Sequence, residues 1–211
     1  MTNIINKLSQ YNKLNIVDIG HHKGHFIENF ISKFPENIEK YILAIDPHDY
    51  KTGLNNKFIQ KAISTKIGKR KFFIYNEPGC NSLSEMLLEN KFQRPNEIIK
   101  TDEIEVECVT LESILNEENF DFIHYLKIDA QGCDLDVVKS AGELIKKCIF
   151  VQIESCNAKQ EDHLMYINQN TKAKDIEYMK NKGFELFLEY DHSKTSCPES
   201  DLIFINLEYE N

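Results

Sequence analysis

The stretch N-I-V-D-I-G-H-H-K-G-H-F-I-E, residues 15 to 28, constrains the fold more than any other part of the chain. Ile16, Val17 and Ile19 form a short apolar run that stops at Gly20. Gly24 follows, and then Phe26, Ile27, Phe30 and Ile31 recur at helical spacing. Strand, glycine turn, helix is the opening of an αβ nucleotide-binding unit. A glycine lets the backbone turn sharply and a ligand come close, and free N–H groups at the helix start favour polar or anionic ligand groups. Gly24 lets the helix start approach the strand end. Asp18, one residue inside that end, is placed to orient the loop or to meet a cationic ligand group. The spacing is D-x-G-x-x-x-G rather than the G-x-G-x-x-G of a dinucleotide site, which argues against a nicotinamide cofactor. The bland alternative is an ordinary βα turn in which Gly20 or His21 helps to cap the helix.

The rest of the chain continues the alternation. Residues 1–13 are a lead-in helix or cap. Y-I-L-A-I-D-P, 41–47, is nearly all apolar, as a strand covered on both faces should be, and it ends in Asp46. An acid ending the second strand is placed to accept both hydroxyls of a ribose; a turn formed by D-P-H-D is the alternative. Residues 58–64 and 69–75 flank T-K-I-G and read as two strands around a hairpin turn, with Lys66, Lys69, Arg70 and Lys71 as a solvated edge. The least regular part is 76–101, where Ser82 or Ser84 would cap a helix over about 84–90 and a loop would reach over a bound ligand. V-E-C-V, 106–109, is a strand, and Thr110 caps the turn of T-L-E-S-I-L. F-I-H-Y-L-K-I-D, 122–129, is strand four. The helix after it turns Leu135, Val137 and Val138 inward and ends at Gly142. C-I-F-V-Q-I-E, 148–154, is strand five. A helix over about 172–182 ends at Gly183, and 184–190 with 201–207 form a closing strand pair.

At 211 residues the chain suits one αβ domain spanning 1–211. A net charge of −9 argues against nucleic acid as the main partner, because phosphate binding needs a basic face. Six cysteines without a C-x-x-C pair suggest neither a zinc site nor a disulfide framework, and point to a reducing, cytoplasmic setting. The N-terminus lacks the apolar core of a secretory signal, and no apolar stretch approaches membrane-spanning length, so no membrane partner is expected.

L-K-I-D-A-Q-G-C-D-L-D-V-V-K-S-A-G, 126–142, resembles the FkbM-like methyltransferase family, which usually shows L-K-I-D-x-E-G-x-E-x-x-V-L-x-G-A here. D-I-G-H-H-K-G-x-F resembles that family's first motif, and its D-x-G-x-x-x-G spacing is similar to that of S-adenosylmethionine (SAM) methyltransferases at large. T-L-E-S-I-L (110–115) resembles the family's T-L-D-x-L segment, and N-S-L-S (81–84) its small-residue stretch after strand three. The resemblance covers about residues 15–155 in order. It implies a class I SAM-dependent O-methyltransferase: a Rossmann-like α/β fold with a seven-stranded, mostly parallel sheet, an antiparallel last strand and helices on both faces. It also implies SAM as cofactor, S-adenosylhomocysteine (SAH) as product, and a hydroxyl of a small molecule, a sugar or glycan precursor, as acceptor. Two departures stand out. Gln131 replaces the usual Glu, and His21, His22 and His25 occupy a loop where small residues are common. Gln131 keeps a second reading open, a methyltransferase-fold module that binds without turnover.

The cofactor residues expected from this resemblance are Asp18, Gly20, His21, Gly24, Asp46, Ala62, Ser82 and Asp129. Ala62 and Ile63 would lie beside the adenine, although core packing explains them equally well. Methyl transfer from a sulfonium is an in-line displacement, so the protein must position the methyl carbon against an oxygen and take away its proton. Asp129, Glu154 and His192 are the candidates for that acceptor chemistry. Asp129 has an alternative role as a cap of the helix near Gly132, and Glu154 as a brace of a backbone loop. The two carboxylates could hold a divalent cation with an oxygen from Asn157, but two acids and an amide do not define a metal site. His124 reads as a core histidine. His21 and His22 are exposed by default, and His163 lies in a loop-like stretch. Asp136 and Lys139 read as a solvated helix face. Residues 76–101 and 155–172 are expected to build the acceptor pocket.

Overall fold

The computed structural model of the protein describes residues 1–87, 98–158, 164–192 and 199–209. The apolar runs become β1 (Lys13–Ile19), β2 (Glu39–Ile45), β7 (Ile123–Ile128) and β8 (Cys148–Cys156). With β3 (Lys57–Ile59), β9 (Phe184–Asp191) and β10 (Glu199–Asn206) they form one seven-stranded sheet in the order β3-β2-β1-β7-β8-β10-β9. The strands are parallel except β10, which is antiparallel to both β8 and β9. This is the expected class I methyltransferase architecture. The strand order reverses between β1 and β7, so a crevice opens at their carboxyl ends.

Alternate side chains of each strand serve opposite faces, which is why the strands read as continuous apolar runs. Leu14 and Ile16 of β1 pack with Ile4 and Leu8 of α1 (Thr2–Leu8) and with Ile27 and Phe30 of α2 (His25–Ile31). Val17 and Ile19 face the other way. They share a core with Leu111 and Ile114 of α3 (Leu111–Glu118), Leu135 and Val138 of α4 (Asp134–Ser140), and Met179 of α5 (Lys172–Asn181). Thr110 caps α3, its hydroxyl accepting from the Ser113 N–H at 3.1 Å. Among the described residues no helix is long and apolar enough to cross a membrane.

Two local readings are corrected. The strands around T-K-I-G are not a hairpin. β4 (Ala62–Ile63) and β5 (Gly68–Tyr75) both pair with β6 (Lys100–Val109), which runs between them in a second sheet ordered β4-β6-β5. Asp136 on α4, read from the sequence as part of a solvated face, instead holds the connection: its carboxylate accepts from the Ser64 and Thr65 hydroxyls and the Thr65 N–H. The helix expected over 84–90 is absent from its described part, 84–87. There Leu87 N–H donates to Met165 and Ile167 N–H to Glu85, a strand-like bridge closed by Met86 and Tyr166. Ser82 instead accepts from the Ser84 N–H in a short turn.

Candidate active site

Two strand ends meet at the crevice, and Gly20 makes the meeting possible. Its φ is +72°, and a β-carbon there would lie 1.8 Å from the Asp129 carbonyl oxygen. Lys127 ties the same two ends together from within β7. Its ammonium donates to the Gly20 carbonyl at 3.0 Å and lies 3.4 Å from Asp18 and 3.3 Å from Asp129. Burial alone would push this lysine's pKa down; the Asp129 and Asp18 carboxylates outweigh it and hold the pKa above its usual value. Asp18 is fully buried and takes His21 Nδ1 at 2.7 Å, so it orients the loop and does not line the cleft. His21, exposed by default in the sequence reading, is buried because this bond draws its ring inward. Gly24, with φ +77°, starts α2 against the His21 ring and Thr52.

The crevice itself is open to solvent and mixes apolar with polar lining residues. Of the expected cofactor residues, Gly20, Asp46, Ala62 and Asp129 line it. Asp46 follows the last residue of β2. One of its oxygens accepts from His22 N–H at 2.9 Å and the other from His48 N–H at 2.8 Å. The turn reading of D-P-H-D therefore holds together with a position on the cleft wall. Burial raises the Asp46 pKa, and these two N–H donors partly oppose it. Ala62 and Ile63 stand with Phe72 and Leu83 as an apolar wall. Ser82 does not line the cleft; its hydroxyl is buried and donates to the Gln131 carbonyl at 2.7 Å, while its neighbours Asn81 and Leu83 reach the cavity.

Asp129 faces the cleft through a side chain that is 36% exposed. It does not cap α4. Nor does any other side chain cap it; Asp134, the first residue of α4, braces the preceding turn instead, accepting from Ala130 N–H at 3.0 Å and Gly132 N–H at 3.2 Å. The expected carboxylate pair exists, with Gln131 between its members. The Gln131 amide nitrogen donates to Asp129 and to Glu154, each at 2.7 Å, and its oxygen accepts from the Tyr166 hydroxyl at 2.8 Å. Glu154 thus sits behind Gln131, outside the cleft lining. Burial, then the nearby Glu199 and Asp129, hold its carboxyl well above the usual carboxylate range. Asn157 is turned away, donating to Asp191 and accepting from Ser200. Among the described residues no group of three or more His, Cys, Asp or Glu is arranged to hold a metal ion.

The histidines divide. His192 pairs with Asp201 at 2.9 Å and does not line the cleft; β8 and β10 separate β9, which it follows, from β7. His124 is buried, accepts from Asn15 N–H at 2.8 Å, and has its pKa pushed down to about 4 by burial. His163 lies outside the described residues. His22, half-buried, does line the cleft, as do His48 and Tyr50, which sequence reasoning left unassigned. Lys127 was missed too, although a lysine inside an otherwise apolar strand was its signal. Tyr166 left no such signal, since it reaches Gln131 from an irregular segment 35 residues away.

The chain matches the methyltransferase FkbM domain over residues 18–186. No curated protein matches it. Among solved structures it is similar to a 1,6-didemethyltoxoflavin-N1-methyltransferase from Burkholderia thailandensis, determined with 1,6-didemethyltoxoflavin and SAH bound. Identity there is 8%, coverage 97% of this chain and 76% of that one, and the TM-score 0.48. It is also similar to a SAM-dependent methyltransferase from Aquifex aeolicus at 9% identity, covering 98% and 88%, with a TM-score of 0.47. The family match takes in the glycine loop, the L-K-I-D stretch and most of the sheet, and the chain belongs to the FkbM methyltransferase family.

Proposed function

We propose that this protein is a SAM-dependent O-methyltransferase that methylates a hydroxyl of a small molecule, a sugar or glycan precursor. One observation carries the reading: Asp46 and Asp129 stand on the walls of one cleft at the switch point of the sheet, beside an apolar wall. These residues fit the cofactor. Each Asp46 oxygen is held by one N–H and keeps a lone pair for a ribose hydroxyl. Ala62, Ile63, Phe72 and Leu83 offer an apolar wall for a base. When bound, SAM supplies an electrophilic methyl group on a sulfonium.

The chain's own residues supply position and a proton acceptor. Lys127 and Gln131 fix one Asp129 oxygen each and leave lone pairs free toward the cleft. There the carboxylate would meet either the cofactor's ammonium or the acceptor hydroxyl, and in the second role it would take the hydroxyl proton as the methyl carbon exchanges its bond to sulfur for one to the acceptor oxygen. A polyhydroxylated acceptor is supported by the polar groups that line the same cleft, which include His22, His48, Asn81 and Gln131. The test is transfer of a labelled methyl group from SAM to a panel of sugars and sugar derivatives. Asp129→Asn should lower kcat about 100-fold or more. Wild-type turnover in that variant would remove Asp129 from the chemistry. SAH binding without transfer to any hydroxylated acceptor would favour the non-catalytic module.

A further inference from the structure

Beside the cleft lies a second cavity of about 740 Å³, open to solvent. Leu83 and Cys133 form walls of both cavities, and Gln131 lines the first while Gly132 lines the second. Three cations face the second cavity: Lys66 and Arg70 from the connection and start of β5, and Lys139 from α4. The basic run of the sequence is therefore split. Lys69 and Lys71 pair with Glu105 and Glu103 across the sheet, as an edge should. Lys66, Arg70 and Lys139 make no ion pair with any described residue; Arg70 donates to the Ser64 hydroxyl at 2.8 Å, and Lys139 lies over the Tyr178 ring. One acid, Asp136, lines the same space, and its oxygens are engaged by Ser64 and Thr65. Asn168 and Asn170 add amide donors.

Asp136 offsets one of the three positive charges around this cavity, and the excess that remains is self-repelling. That excess is two positive charges, which a phosphate dianion matches better than a carboxylate does. An arginine fork beside lysines is also the donor set suited to phosphate oxygens. We infer that this cavity is a phosphate subsite for the acceptor, which carries a phosphate or diphosphate group while its hydroxyl reaches past Leu83 and Cys133 to Asp129. The acceptor role rests on the methyltransferase reading above; the anion site rests on the cavity alone.

Calorimetric titration tests it. Wild type and the double variant Lys66→Ala, Lys139→Ala are titrated with inorganic pyrophosphate, glucose 1-phosphate and unphosphorylated glucose, and with SAH separately. Both lysines are exposed, so the variant should melt with the wild type. The two phosphates should bind wild type and glucose should not. The variant should lose about tenfold or more in phosphate affinity and keep its SAH affinity. Equal phosphate affinity in wild type and variant, or no phosphate binding to wild type that binds SAH, overturns the subsite and leaves the methyltransferase reading intact. Failure of SAH to bind overturns that reading, whatever the phosphates do.

Discussion

Gln131 does what a carboxylate at its position could not. Its amide nitrogen has two hydrogens, and each goes to a different carboxylate, Asp129 and Glu154, while its oxygen takes the Tyr166 hydroxyl. A glutamate there would set a third acid against two, in a place where the Glu154 carboxyl is already held well above its usual range. Gln131→Glu should therefore destabilise the fold by about 1–3 kcal/mol at neutral pH. The new carboxyl would have a folded-state pKa above its unfolded value of about 4.3, so the penalty is full above the raised value and disappears as pH falls to the unfolded one. Melting curves of wild type and variant across pH should converge in acid; a constant gap would show that charge is not the cause. The substitution was visible in the sequence as a departure from the family pattern. Its meaning was not, because Glu154 and Tyr166 reach it from distant segments.

At the scale of elements, the meeting of β1 and β7 is what builds the cleft. Both were legible as apolar runs ending in small or acidic residues, since parallel strands buried on two faces have few polar positions. The second sheet was not legible in the same way. T-K-I-G has the residues of a hairpin turn, and only the long-range pairing of β6 with both flanking strands, with Ser64 and Thr65 held on Asp136, decides against it. Gly20 is the element-level prediction. Alanine there needs a positive φ and would place its β-carbon against the Asp129 carbonyl, so Gly20→Ala should cost about 3 kcal/mol or more in denaturant unfolding. A variant as stable as wild type would mean that the two strand ends do not make this contact.

For the whole molecule, the sheet order with its single antiparallel strand matches what the L-K-I-D and glycine-loop motifs imply. Those motifs sit on regular elements, where local spacing determines geometry. The rims of the two cavities come from irregular segments around 78–84 and 166–170, where the backbone is held by side-chain bonds across the chain, and there spacing says little. Charge shows the same contrast. A net −9 argues against nucleic acid as the main partner, yet it averages over a surface on which three cations with no ion pair to any described residue share one cavity. In the proposed function the cleft is a SAM site with Asp46 as its ribose anchor. Calorimetric titration of SAH into wild type and Asp46→Ala tests that most directly. Wild type should bind, and the variant should bind about tenfold more weakly or worse, having lost a charged hydrogen-bond acceptor. Folded wild type that does not bind SAH, or a variant that binds it equally well, would contradict the account.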